Sequence, residues 1–148
     1  MATYTQILYH IVFSTKNREQ VLVKENREKL FRYIWGLIKN KKCVLYQING
    51  VEDHLHIATH LHPTVTLADL VKDIKVASSI WIKEEGVFPM FSGWQEGYAA
   101  FTKSIGDKEV LMNYIRNQEE HHRKVSFRDE LIALLLEQNI EFDERYLF

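Results

Sequence analysis

Apolar residues in this chain recur with two alternating periods, and the order of those periods restricts the fold more tightly than composition does. From Tyr4 to Ser14 the period is two, with Ile7, Tyr9, Ile11 and Phe13 on one face, as in a strand. From about Lys24 to Asn40 the spacing is helical, carried by Leu30, Ile34, Leu37 and Ile38 with Phe31 and Trp35 beside them. Val44 to Ile48 reads as a second strand and Asn49-Gly50 as a turn signal. Asp53 to about His60 is then a third strand, hairpin-paired with the second. Thr66-Leu67-Ala68-Asp69 has the form of a capping box. Behind it Leu67, Leu70, Val71, Ile74, Ala77 and Trp81 form a stripe that stops at Gly86. A loop rich in Gly, Phe and Trp leads to a fourth strand, Tyr98 to Ser104. Asp107 is placed to cap a helix carrying Val110, Leu111, Tyr114, Ile115 and Gln118, and Ser126-Phe127-Arg128-Asp129 to open a last helix through Leu136.

The order is therefore βαββαβ followed by two helices. It predicts an α+β, ferredoxin-like (RRM-like) antiparallel sheet with helices on one face and the other face free for a ligand. The 148 residues suit one domain, 1–148. Cys43 is the sole cysteine, which rules out an intrachain disulfide and a thiolate metal cluster and suits a reducing compartment. No secretory pattern is visible, and no apolar run approaches the roughly 20 residues of a membrane span. The expectation is a cytoplasmic protein without a membrane partner. Nineteen Lys plus Arg against twenty Asp plus Glu give a net charge of -1, so nucleic acid would have to be met by local patches.

Two constellations can carry chemistry. In His54-Leu55-His56 the strand pleat sends both imidazoles to one face and Leu55 to the other, so the pair can hold one metal ion. His60-Leu61-His62 repeats the pattern with the same parity, and spacing alone does not choose between them. Tyr114 and Gln118 lie four apart and share a helix face. An amphipathic core explains Tyr114 alone; a phenol beside an amide that reaches a metal explains both.

These segments resemble the single-tyrosine HUH transposases of the insertion-sequence 200/605 type, where HUH denotes His-hydrophobic-His. The resemblance runs through Tyr9-His10-Ile11-Val12-Phe13-Ser14-Thr15-Lys16 and Asn49-Gly50-Val51-Glu52-Asp53-His54-Leu55-His56. It continues in Leu70-Val71-Lys72-Asp73-Ile74-Lys75 with Ser78-Ser79, and in Trp94-Gln95-Glu96-Gly97-Tyr98-Ala99-Ala100-Phe101. It ends in Tyr114-Ile115-Arg116-Asn117-Gln118-Glu119-Glu120-His121-His122.

The resemblance implies that Tyr114 is the nucleophile and that His54, His56 and Gln118 hold a divalent metal, Mg²⁺ or Mn²⁺. Two imidazoles suit Mn²⁺ better. It leaves His60 and His62 as strand-end surface residues, and His121 and His122 as helix-end cations. The implied substrates are single-stranded DNA hairpins at transposon ends, cut and rejoined through a 5′-phosphotyrosine. The implied assembly is a homodimer in which the tyrosine helix can complete the partner's site. Because the tyrosyl ester keeps the bond energy, no nucleotide cofactor is expected. Lys16, Arg18, Lys72, Lys75, Arg123 and Lys124 are candidate DNA contacts, while Trp94 and Tyr98 are read as loop anchors. The competing readings are a non-catalytic or domesticated ferredoxin-like nucleic-acid-binding relative and a small-molecule hydrolase. The hydrolase lacks a carboxylate in the strand motif. The acidic end with Glu137, Glu141, Asp143 and Glu144 favours the insertion-sequence type over a domesticated one.

Overall fold

A computed structural model of the chain describes residues 2–147. Its strands are β1 (Leu8–Ser14), β2 (Val44–Gly50), β3 (His54–His60) and β4 (Ala99–Lys103). The helices are α1 (Lys24–Asn40), α2 (Leu67–Glu85), α3 (Lys108–Arg116), α4 (Gln118–His122) and α5 (Phe127–Glu137). The strands form one antiparallel sheet in the order β2-β3-β1-β4, the ferredoxin-like arrangement expected from the pattern. Among the described residues, no helix is long and apolar enough to cross a membrane.

One face of the sheet packs as anticipated. Ile11 and Phe13 of β1 and Leu55 and Ile57 of β3 meet Leu30, Ile34 and Ile38 of α1 and Leu70, Val71 and Ile74 of α2. The other face is not free. Val12, Ala99 and Phe101 pack on Phe127, Leu131 and Leu135 of α5, and Leu8 and Ala58 pack on Leu111 and Ile115 of α3. The cause lies in β1, which is apolar on both sides: reading Ile11 and Phe13 as its inner face left Leu8 and Val12 needing cover too.

The caps follow their residue chemistry. Thr66 Oγ1 accepts the Asp69 N–H at 3.1 Å, Ser126 Oγ accepts the Asp129 N–H at 3.2 Å, and Gly86 ends α2 at φ 64°. Asp107 departs from expectation: it occupies the N-cap position of α3, but its carboxylate accepts from Ser104 Oγ instead of capping. Asn49-Gly50 also departs. Both residues belong to β2, opposite His56 and Leu55, and the chain turns at residues 51–53. A Cβ on Gly50 would stand 2.4 Å from the His54 carbonyl oxygen, so glycine serves close strand approach here and not a hairpin turn. The helix expected to run through Gln118 breaks at Asn117 into α3 and α4.

Leu131 is 1% exposed whereas Leu136, on the same helix, is 63% exposed. Leu131→Ala is expected to lower unfolding free energy by about 2–5 kcal/mol. Leu136→Ala should cost less than about 0.5 kcal/mol. Urea unfolding of the two variants checks the contrast, and equal losses would contradict the packing of α5 on the sheet.

Candidate metal and nucleophile site

The β3 pleat puts His54 and His56 on the sheet face covered by α3 to α5, both fully buried. Each ring is oriented through Nδ1. His54 Nδ1 lies 2.7 Å from Asp53 Oδ1, and His56 Nδ1 lies 2.8 Å from Nε2 of the buried His10 on β1. Both Nε2 atoms therefore turn to the same place. Glu130 of α5 fills it, with Oε1 2.9 Å from His56 Nε2 and 3.3 Å from His54 Nε2. His122 Nε2 approaches the same oxygen at 3.0 Å. The second oxygen, Oε2, accepts the Tyr114 hydroxyl and the Gln118 amide N–H, the latter at 3.2 Å.

Local sequence explains how these side chains meet. Asn49 Nδ2 donates to the carbonyls of Ile115 and Arg116, each at 3.0 Å, which satisfies the C-terminal end of α3 against β2. The break at Asn117 then redirects α4. Arg27 of α1, only 4% exposed, holds α4 through Glu119 at 3.3 Å and the β2–β3 turn through Glu52 at 3.6 Å. The Ser126 cap starts α5, whose Phe127 stacks on the His54 ring with centroids 4.1 Å apart. Glu130 belongs to the same buried stripe as Phe127 and Leu131.

Electrostatics keep the cluster poised. Burial alone would raise the Glu130 carboxyl, but hydrogen bonds from His122, His54 and His56 outweigh it and hold the group well below the usual carboxylate range. Burial, then the Glu130 charge, pushes the Tyr114 phenol above its ordinary value. Burial lowers His56 to about 4, against a partial opposing pull from Glu130. Burial also works against a charged His54, but the Asp53 and Glu130 carboxylates reverse the balance and raise it.

His54, His56, His122 and Glu130 offer ligand atoms within 4.8 Å of one another, a group able to hold a metal ion. The donor set fits a divalent cation of the imidazole- and carboxylate-binding kind.

The model of the IS200-like transposase family matches residues 3–118 of this chain. The chain belongs to the IS200-like transposase family. The ISDra2 transposase TnpA of Deinococcus radiodurans is 25% identical over 124 residues, covering 78% of this chain and 86% of that protein. The transposase for insertion sequence element IS200 of Salmonella typhimurium is 24% identical over 121 residues, with 78% of each chain covered. Among solved structures, a putative transposase from D. radiodurans aligns with a TM-score of 0.63 at 25% identity, over 80% of this chain and 95% of that one. A REP-associated tyrosine transposase bound to a REP hairpin aligns with a TM-score of 0.62 at 15% identity, over 84% and 76%, a likeness of fold.

This IS200-like chain brings Tyr114, His54, His56 and Gln118 together within one protomer. His60 and His62 stand apart: His60 Nδ1 accepts the Ile7 N–H at 3.1 Å, and His62 Nδ1 lies 2.7 Å from Thr64 Oγ1. The reading of His122 as a helix-end cation is corrected by its place in the cluster. Its Nδ1 meets the Val125 carbonyl at 2.7 Å and its Nε2 meets Glu130. Glu130 itself was missed. The signal existed, because a carboxylate interrupts the apolar stripe Phe127, Leu131, Leu134, Leu135.

The candidate cations differ in circumstance. Lys16, Lys72 and Lys124 are exposed, Arg18 is half-buried, and Arg123 pairs with Glu120 at 2.8 Å. Lys75 is half-buried and donates to the Gln95 and Gly97 carbonyls, tethering the loop. Trp94 anchors that loop by donating to Ser78 Oγ at 2.9 Å and by edge packing on Phe13.

The lowered His56 value carries a definite sign. Between about pH 4 and the ordinary 6.5 the folded state keeps His56 neutral while the unfolded chain protonates it. The unfolded state binds more protons there, so this contribution to stability is lost as pH falls through that window. In the metal-free protein, NMR titration of the His56 ring is expected to show a midpoint near 4, with the His54 midpoint above the ordinary imidazole value. A normal midpoint for His56 would contradict its burial against Glu130.

Proposed function

We propose that this chain is a transposase that cleaves and rejoins single-stranded DNA at transposon-end hairpins, with Tyr114 as nucleophile and a divalent cation as electrophile. The observation that carries the reading is the meeting of a helix-borne phenol, the two strand imidazoles and Gln118 around one buried carboxylate. Family membership supplies the reaction class. A same-fold transposase solved with a REP hairpin supports a folded strand as the ligand.

Tyr114 oxygen attacks phosphorus, the bond from phosphorus to the 3′ oxygen breaks, and a 5′-phosphotyrosine and a 3′-hydroxyl result. The resting phenol is a poor nucleophile, because its environment favours the protonated form. Glu130 Oε2 holds the phenolic O–H and stands where its proton must go. Ordinary phenol and carboxylate values differ by roughly six units and this environment widens the gap, so the proton stays on the phenol at rest and moves only as the new P–O bond makes that oxygen acidic. The departing 3′ oxygen ends as a hydroxyl, so no net proton is consumed.

A bound divalent cation supplies Lewis-acid polarisation of the phosphate and offsets charge on the leaving oxygen. His54, His56 and Gln118 would hold it, Mn²⁺ in preference to Mg²⁺ by ligand type. Two clefts flank the cluster. One of about 360 Å³ reaches Tyr114 and His10 past Lys103, Asp107 and Glu137, and one of about 270 Å³ reaches His122 past Lys24, Arg27 and Arg123 with Glu52 and Glu119. The phosphate chain would enter by these, with Lys16, Arg18, Lys72, Arg123 and Lys124 as backbone contacts, whereas Lys75 is already engaged by the Gln95 and Gly97 carbonyls. Assembly as a homodimer is part of the proposal, each copy using its own tyrosine with its own histidines.

The test is incubation with Mn²⁺ and labelled hairpin-bearing single-stranded DNA, followed by denaturing electrophoresis. A covalent adduct is expected in the wild type and none in Tyr114→Phe. His56→Ala should lower it at least about a hundredfold, the scale of losing a transition-state electrophile. Adduct formed by the Phe variant would defeat the tyrosine assignment. Mixing Tyr114→Phe with His56→Ala tests the arrangement of subunits: the mixture stays inactive if each protomer works alone and regains activity if tyrosine and histidines are shared.

A further inference from the structure

We propose that the cation site of this chain is a three-imidazole, one-carboxylate centre, in which His122 Nε2 and Glu130 Oε1 join His54 and His56 as ligands, while Gln118, whose amide donates to Glu130 Oε2, steadies the carboxylate in place of binding the cation. The inference rests on reading the cluster as a metal centre and adds to it the residues of α4 and α5. His122 and Glu130 both lie beyond residue 118, where the match to the family ends.

Proton placement carries the argument. His122 Nδ1 faces the Val125 carbonyl, which can only accept, so that nitrogen bears the ring proton. His54 Nδ1 faces the Asp53 carboxylate and bears its proton for the same reason. In the metal-free protein, protons on the Nε2 atoms make the hydrogen bonds to Glu130; once those protons leave, both Nε2 atoms are lone pairs pointing at Glu130 Oε1, itself an acceptor, from 3.0 and 3.3 Å. Acceptors converging on an acceptor need protons or a cation among them. His56 Nε2 completes the group at 2.9 Å, and its Nδ1 can donate to His10 Nε2. One divalent ion does the work of several protons and leaves each Nδ1 hydrogen bond intact, the usual means of orienting a metal-bound imidazole.

The carboxylate has a second duty. Oε1 faces the three imidazoles while Oε2 holds the Tyr114 hydroxyl, so one rigid group from α5 sets the distance between cation and nucleophile. Three imidazoles with one carboxylate favour Mn²⁺ or another transition ion over Mg²⁺, which prefers oxygen donors and retained water.

The test uses the full chain without DNA. Mn²⁺ is titrated calorimetrically into the wild type, Glu130→Gln, His122→Asn and Tyr114→Phe, with a thermal melt of each variant to establish that it is folded. Glu130→Gln and His122→Asn should each weaken Mn²⁺ at least about tenfold, the lower edge of what losing even an orienting partner of a ligand costs. Tyr114→Phe, which removes only a hydrogen bond to Glu130 Oε2, should weaken Mn²⁺ less than either ligand variant, and Mg²⁺ should compete poorly. Wild-type affinity in both folded variants would overturn the proposal. Should Glu130→Gln unfold, electron spin-echo spectroscopy of Cu²⁺ bound to the wild type decides: three coordinated imidazoles are expected, falling to two in His122→Asn, and two in the wild type would overturn it. Loss of Mn²⁺ affinity in these variants without any DNA adduct in the wild type would count against the DNA-cleavage reading alone. Adduct formation with unaltered Mn²⁺ binding in the variants would count against the four-ligand centre alone.

Discussion

A carboxylate almost sealed from solvent governs this molecule. Glu130 is 3% exposed, and an ion so placed carries a penalty of several kcal/mol unless partners surround it. Those partners come from three separate elements, His54 and His56 from β3, Tyr114 from α3, and Gln118 and His122 from α4, while Glu130 itself sits on a fourth, α5. No single element satisfies the charge, so their docking is mutually dependent. The Arg27 bridge to Glu119 and Glu52 and the Asn49 clamp on α3 hold the pieces in register from outside the cluster.

The packing makes sense of an otherwise costly choice. An all-apolar α5 would cover β1 and β4 as well as Phe127, Leu131 and Leu135 do. The buried glutamate weakens that cover unless the imidazoles and phenol are in place. Such a group is retained where it organises chemistry, and perturbed ionisable clusters concentrate at functional sites for that reason.

Much of this was legible in the residues. The alternation of periods two and 3.6 located every strand and long helix, and the Thr66 and Ser126 caps behaved as their side chains require. Spacing put His54 with His56 and Tyr114 near Gln118, but it served His60 and His62 equally well, and only the family resemblance singled out the four. The failures share a cause: each depends on contacts distant in sequence. Gly50 is glycine because the His54 carbonyl approaches it across the hairpin, and Asn49 is asparagine because α3 ends against it. The second sheet face reads as open only if β1 is taken to have one apolar side, although Leu8 and Val12 stand between Ile7, Tyr9, Ile11 and Phe13. His122 and Glu130 belong to the site only because α4 and α5 fold back over β3, a return that no local spacing encodes.

The same contacts bear on whether the tyrosine helix can serve a neighbouring copy. Undocking α3 would expose Leu111 and Ile115, at about 1.5–3 kcal/mol each. It would also break the Asn49 bonds to the helix end, at about 1 kcal/mol apiece. The total of about 5–8 kcal/mol corresponds to a population ratio of about 10⁴–10⁶. Exchange of the helix between copies therefore requires that the partner's sheet restore equivalent burial and an equivalent clamp, which an identical subunit can do only by accepting α3 at the same place on its own β2 and β3. Within the described protomer α3 closes the site on its own sheet, and a neighbouring copy that received the helix would have to present the same apolar seat and the same Asn49 clamp.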